Sequence, residues 1–309
     1  MVKSPVPPGY AEVVIQFSQP RYFSRIWGTA AVPITAYAVA QAQWAAAKGG
    51  IIVLDPTAAG SLRSSGNGTA RVTGASVIAD SNNSNAVTVN GRALVSDSGS
   101  GTVAITGQSP GYSGNVQGQI LTGQPPTPDP FAYLPAPDPT TLPLQTVPEG
   151  DDDGIFLHPG RYVGGISTNS NARIQMAPGI YYMDGGDFDY TGNGSLTGSG
   201  VMIYSTTGIR IAGNASVRLS PPATGPYTGM TFFVARNSAS TIQVSGNGTY
   251  NVSGTIYNAN GLTTVSGNGD VSLAGQIVTD QLSVSGNGDV NIVWGSAPTA
   301  RSRSIQLVD

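Results

Sequence analysis

The sequence contains no cysteine. Disulfides, cysteine-based zinc sites and thiol catalysis are therefore excluded. It contains one histidine, His158. A multi-histidine metal site is excluded with it, and a histidine-based triad has one possible base. Charge is scarce. Only 10% of residues are Asp, Glu, Lys or Arg, against about 25% in ordinary soluble domains. The 14 basic and 17 acidic residues give no basic footprint for nucleic acid. The first ten residues, MVKSPVPPGY, hold no apolar run of the kind a secretory signal needs.

Present in quantity are 42 Gly and 22 Pro, with Ser, Thr and Asn supplying most of the polarity. Disorder usually comes with high net charge and few β-branched residues. Here the net charge is −3, and Val, Ile and Thr recur in short runs. A folded, mainly β protein is expected.

Along the chain, residues 1–50 read as a strand (11–18) followed by a helix (21–48). Tyr22, Ile26, Ala30, Ile34, Tyr37, Ala40 and Trp44 recur every three or four positions, which would put them on one helical face. Pro33 would kink or restart that helix, and Gly49-Gly50 would end it. The apolar-rich run 26–47 holds Gly28, Pro33, Gln41 and Gln43. It therefore reads as a packed helix and not as a membrane-inserting one.

From residue 51 to 123 the pattern shifts to period two. Short strands are expected at 51–54, 70–73, 76–79, 86–89, 93–95, 103–106 and 117–121. Residues 124–154 are Pro-rich and then acidic (QPPTPDPFAYLPAPDP, later EGDDD). Proline fixes φ and removes backbone donors, so this stretch reads as an extended surface connection. A second β block is expected over 155–296, followed by a tail, 297–309.

The second block carries a repeat. Ser-Gly-Asn-Gly or a close variant occurs around Asn193, Asn214, Asn247, Asn268 and Asn287, and once in the first block around Asn67. Asn193 and Asn214 are 21 residues apart, Asn247 and Asn268 are 21, and Asn268 and Asn287 are 19. The 33-residue gap from Asn214 to Asn247 contains SPPATGPYTG (220–229), which reads as an inserted loop. Asn171, 22 residues before Asn193, is a candidate start of the series. A period near 20 with short β runs is the signature of stacked coils that cannot bury their apolar faces singly. The expected fold is a right-handed parallel β-helix (β-solenoid) with an N-terminal strand and helix. The asparagines would form a ladder, one amide bonding the next across about 4.8 Å. Val244, Val265 and Val284 would stack inside, as would Val252, Val271 and Val290.

LHPGRYVGGI (157–166), MAPGIYYMDGG (176–186), GSGVMIY (198–204) and the SGNGDV phrases resemble the TadG-like proteins of tight-adherence pilus systems. Residues 21–42 and DPFAYLPAPDP (129–139) fit the same resemblance, which covers most of the chain. Members of that family begin with a membrane-anchoring, pilin-like segment, and no such segment is apparent here. The resemblance implies a bacterial envelope or cell-surface location and a part in pilus assembly or adhesion. It supplies no catalytic residues.

Three constellations carry possible chemistry. Asp184, Asp187 and Asp189 are close in sequence, and the last two would share a strand face, where a carboxylate pair could act as acid and base. They read instead as a solvated turn beside Gly185-Gly186. Asp270 and Asp289 each follow a Ser-Gly-Asn-Gly phrase and would stack as like charges. A bound Ca²⁺ would neutralise them; splayed, hydrated side chains are the alternative. Asp151–Asp153 reads as solvated. His158, in a Pro-Gly context, reads as structural. The glycine phrases lack the Lys-Ser/Thr ending of a phosphate loop. Asn67, Asn193, Asn214 and Asn247 match the glycosylation sequon, but the repeat already accounts for them.

The expectation is therefore a non-enzymatic extracellular or cell-envelope protein without a required cofactor. Its expected partners are further copies of itself or pilus and envelope components. A carbohydrate-binding adhesin, using the tyrosines and the polar ladder faces, is the alternative. A polysaccharide lyase or hydrolase comes third.

Overall fold

The computed structural model describes residues 10–22, 26, 28–46, 49–92, 94–97, 101–108, 110–148, 154–168, 171, 173–268, 271–287, 289–295 and 298–308. The protein is mainly β and divides into two compact units. One spans Ala47–Ala300. The other joins residues 1–46 to 301–309.

The large unit holds a 26-stranded sheet in which the strands run parallel to their partners. Through most of it each strand pairs with the third strand on in sequence, so the strands sort into three ladders. In the first, Ile155–Leu157, Arg173–Met176, Ser195–Gly198 and Ser216–Leu219 pair in turn. In the second, Gly160–Val163, Gly179–Asp184, Val201–Ser205 and Met230–Val234 do so. In the third, Ile166–Thr168, Phe188–Gly192, Ile209–Gly213 and Ile242–Gly246 follow the same rule. The 19-residue stretch Thr249–Gly267 takes part in all three, pairing with 216–219, then 230–233, then 242–246.

The two β blocks of the sequence meet within this sheet. Val271–Gly286 pairs on one side with Thr249–Gly267 and on the other with Gly49–Val53 and Leu62–Gly66. Val290–Val293 pairs with Thr69–Thr73. One level of the stack is thus composite: its first-ladder strand comes from residues 290–293, and its other two from residues 49–53 and 62–66. The remaining early strands continue outward, ending with Val116–Gln117 and Ile120–Leu121.

Side-chain alternation sets what each ladder buries. In the first and third ladders, runs such as Arg173–Met176 alternate exposed and buried. Their apolar residues, among them Ile174, Leu196, Val217, Ile209 and Val244, join Tyr181, Ile203 and Phe232 of the second ladder in one core. The second ladder differs. Gly49–Val53, Val201–Ser205 and Met230–Val234 are buried at every position. Continuous apolar runs of this kind belong to strands covered on both faces.

Part of that cover is the Pro-rich connection. Phe131 and Leu134 are buried in a second apolar cluster with Tyr182, Met202, Tyr204, Phe233 and Tyr257. The Phe131 ring meets that of Tyr257 edge-on at 5.6 Å. The Tyr227 hydroxyl, from the inserted loop 220–229, donates to Pro135 O at 3.1 Å. The stretch is a strap along the second ladder, and its prolines need no ladder partners because it pairs with no strand until Leu144–Gln145.

The small unit corrects the sequence reading. Val32–Ala46 is a 15-residue strand and not part of a helix over 21–48. It pairs antiparallel with Tyr10–Gln19 on one edge and with Arg301–Val308 on the other. Two periods coexist in VPITAYAVAQAQWAA. The three-to-four spacing of its large residues suggests helix, whereas Ile34, Ala36, Ala38 and Ala40 alternating with Thr35, Tyr37, Val39 and Gln41 suit a strand. Partners distant in sequence select the strand. Pro33 is accommodated because Arg301–Val308 reaches only Val39–Ala46, so Pro33 faces an unpaired edge on that side.

Candidate functional site

The corner of the third ladder carries the asparagines. Asn193 Nδ2 donates to Asn171 Oδ1 at 3.3 Å, and Asn214 Nδ2 to Asn193 Oδ1 at 3.0 Å. Further along, the Asn268 backbone N–H donates to Asn247 Oδ1 at 3.3 Å, and Asn287 Nδ2 to Asn268 Oδ1 at 2.7 Å. Asn67 then continues the row from the other end of the chain, its Nδ2 donating to Asn287 Oδ1 at 2.7 Å. Gly213 and Gly246, the residues before Asn214 and Asn247, pair directly. The glycine before the asparagine is tightly constrained at Gly66, Gly213, Gly246, Gly267 and Gly286, all at positive φ: at Gly246 (φ +123°), a Cβ would lie 2.0 Å from Gly213 O. Only glycine meets both the left-handed backbone and the close stacking.

The carboxylates do not converge. Asp184 takes the Arg161 guanidinium, with Nε at 2.7 Å from Oδ2. Asp189 lies 3.5 Å from Arg210 of the next strand in its ladder. Asp187 is exposed at the turn before Phe188. Two of the three are therefore occupied by arginines of neighbouring strands, an arrangement that neutralises charge. Asp289 Oδ1 accepts the Thr69 N–H at 2.9 Å, so this carboxylate helps join the two β blocks. Asp270 and Asp151–Asp153 lie outside the described residues. Among the described residues no group of three or more His, Asp or Glu could hold a metal ion. His158 is exposed, its ring edge-on to Phe156 at 4.9 Å, and its carbonyl accepts the Tyr162 hydroxyl at 2.6 Å.

The tyrosines expected on a ligand-binding face are mostly interior. Tyr162, Tyr181, Tyr190, Tyr250 and Tyr257 are fully buried, and Tyr182 and Tyr204 lie in the cluster under the strap. Burial pushes the Tyr162 and Tyr190 hydroxyls up to about 12. The most elaborate polar cluster pins the strap. Arg236 donates from Nε to Tyr257 Oη at 2.5 Å, from one terminal nitrogen to Leu134 O at 2.8 Å, and from the other to Phe131 O. The Tyr257 hydroxyl donates to Asp129 Oδ2 at 2.5 Å. Neither Arg236 nor Asp129 was identifiable from the sequence, because the residues they join are about a hundred positions apart.

Two surfaces remain open. The first is the three-stranded sheet. Directly opposed residues share a face, so Val13 with Ala38, Ile15 with Ala36 and Phe17 with Ile34 make one face apolar. Val13, Ile15 and Phe17 are 58%, 62% and 56% exposed. The other face is mixed, with Glu12, Val14, Gln16 and Ser18 opposite Val39, Tyr37, Thr35 and Pro33. Tyr10–Gln19 and Arg301–Val308 are the outer strands, so each leaves one edge unpaired within the described sheet. The second is a trough on the outer face of the first ladder, bordered by Phe156, Gln175, Thr197, Arg218 and Asn251. Among the described residues no helix is long and apolar enough to cross a membrane. No family model matches the chain, and no curated protein or solved structure matches it.

Proposed function

We propose that this chain is a structural, self-associating protein of the cell envelope or cell surface, of the kind its resemblance to TadG-like pilus proteins implies. The finer architecture belongs to the same proposal. The three parallel ladders close into a three-sided right-handed β-helix. Support comes from the stretch Thr249–Gly267, which passes through all three ladders in succession, and from the near-universal right-handedness of crossovers between parallel strands. A stacked, cross-braced rod is suited to bearing load and to spacing partners.

The observation that carries self-association is the apolar face of Val13, Ile15, Phe17 and Ile34, exposed on a sheet whose outer strand Tyr10–Gln19 has no partner on its other edge among the described residues. Monomers seldom leave such a face and edge uncovered, since both recruit other chains. A second copy fits both, by strand addition at the edge and by burial of the aliphatic face. The test is sedimentation velocity and negative-stain microscopy over a range of concentrations. The proposal expects concentration-dependent oligomers or filaments that Ile15→Lys with Phe17→Lys abolishes while the circular dichroism of the large β unit is kept. A parent protein that stays monomeric throughout, or a double variant that assembles as before, would contradict it.

A further inference from the structure

We infer that the trough on the first ladder is a binding site for an extended anionic polysaccharide, one bearing carboxylate or sulfate groups. The inference is independent of self-association. Two adjoining depressions, of about 610 and 430 Å³, share Phe156, Gln175 and Thr197. They form a continuous trough across neighbouring strands. Its floor is a register row: Phe156 pairs with Gln175, Gln175 with Thr197, Thr197 with Arg218 and Arg218 with Asn251. Neighbouring strands lie about 4.8 Å apart, so this row runs about 19 Å. It presents an exposed aromatic ring, two amides, a hydroxyl and a guanidinium in line.

Charge selects the class of ligand. Among the described residues, the basic groups lining the trough are Arg173 and Arg218, and no aspartate or glutamate lines either depression. Elsewhere in this acidic chain, Arg161, Arg210 and Arg236 each meet an aspartate. Arg173 and Arg218 are exposed and have no partner among the described residues. They are offset by two strand spacings, about 10 Å across the ladder, and by two residues, about 7 Å, along it. Unpaired guanidiniums offer charge-assisted, two-pronged hydrogen bonds to carboxylate or sulfate oxygens.

Geometry favours a glycan over a peptide. Arg173–Met176, Ser195–Gly198 and Ser216–Leu219 are paired on both edges, so a peptide cannot add a strand along the length of the trough; among the described residues only the end strand Ile155–Leu157 is paired on one side alone. What the face offers is side-chain amides and hydroxyls, which match sugar hydroxyls, and the 46% exposed Phe156 ring, which can stack on a sugar's apolar face. Concave sites with apolar walls and a few directed polar groups are the usual form of small-ligand and glycan subsites.

Isothermal titration of the full chain with polygalacturonate, heparin and neutral dextran tests this, with single-stranded DNA as a non-glycan polyanion. Binding to one or both anionic glycans is expected, with none to dextran and at least tenfold weaker binding to DNA. Arg218→Ala and Arg173→Ala should each weaken binding at least tenfold, and Thr197→Tyr, which fills the trough, should abolish it. Arg92→Ala, which removes an exposed charge outside the trough, should change nothing. Absence of binding to either anionic glycan, equal binding to dextran or DNA, or an Arg92→Ala loss matching that of Arg218→Ala would each overturn the inference. Unchanged circular dichroism of every variant separates a lost site from a lost fold.

Discussion

At the scale of single residues, the repeat phrase combines a backbone requirement with a modest side-chain bond. Gly267 adopts φ +119°, and a Cβ there would lie 2.1 Å from Gly246 O. Gly267→Ala should therefore cost about 1–3 kcal/mol from backbone strain alone, read from urea unfolding. Its neighbour Asn268 is exposed and accepts one amide bond from Asn287. Asn268→Ala should cost only about 0.5–1.5 kcal/mol. The glycine, less conspicuous than the asparagine in the sequence, is thus the more restrictive half of the motif. Titration adds a pH dependence. Burial pushes Asp80 up to about 6 despite the hydrogen bond it accepts from Thr127 N–H. Burial, with the neighbouring Asp55 charge, pushes Asp280 up to about 6. Both values exceed the unperturbed 3.8, so folding favours the protonated forms. The stability these two groups contribute is present in full below about pH 4 and lost as pH rises through about 6. Thermal melts should fall across that window, and Asp80→Asn should flatten part of the fall.

At the scale of elements, the strap and the terminal sheet depend on partners distant in sequence, and for that reason they were read incompletely. Proline content marks 124–154 as unable to form a central strand, and among its described residues Leu144–Gln145 pairs on one side with Arg161–Tyr162. Nothing local indicated that Phe131 and Leu134 would be buried beneath an Arg236 clamp. Phe131→Ala should cost about 3–5 kcal/mol, the usual range for emptying a buried aromatic site. Limited proteolysis should then cut within 124–143 faster than in the parent protein, while an unchanged cleavage rate would mean that the strap is held by other contacts. In the terminal sheet the outer strand is legible as 11–18, but the middle strand Val32–Ala46 reads as helix because alanine, a strong helix former, fills most of one face. The deciding interactions come from residues 10–19 and 301–308. The short strands of the early block were legible where β-branched residues alternate, as in Ala70–Thr73 and Ser76–Ala79. Leu62–Gly66 and Gly111–Ser113, poorer in such residues, were not.

At the scale of the molecule, the sequence period implied stacked strands but not their order. Asn193, Asn214, Asn247, Asn268 and Asn287 follow chain order in the stack. Asn67 joins beyond Asn287 and so reverses the sequential expectation of two consecutive blocks. No periodicity could reveal this, because both blocks carry the same phrase and either end could have met the other. The arrangement has a mechanical consequence. Gln281 Nε2 donates to Asp55 Oδ2 at 2.7 Å, and Gln276 Nε2 to Gly49 O at 2.5 Å. The early block is thereby bonded to the late one across more than two hundred residues, and residues 47–300 should unfold in a single transition. Calorimetry resolving two well-separated transitions for this unit would argue against that coupling.

The composite level is the central claim, and the absence of native cysteine makes it directly accessible. Asn67 and Asn287 directly follow Gly66 and Gly286, the last paired residues of adjacent strands, and their side chains are hydrogen-bonded, a spacing compatible with a disulfide. In the double variant Asn67→Cys with Asn287→Cys, mild oxidation should give a nearly complete intramolecular disulfide in the monomer, visible as a mobility shift on non-reducing gels. The pair Asn67→Cys with Asn193→Cys should give none. Failure of the first pair to close in folded protein, or equal closure of both pairs, would contradict the stacking of the early block on the late one.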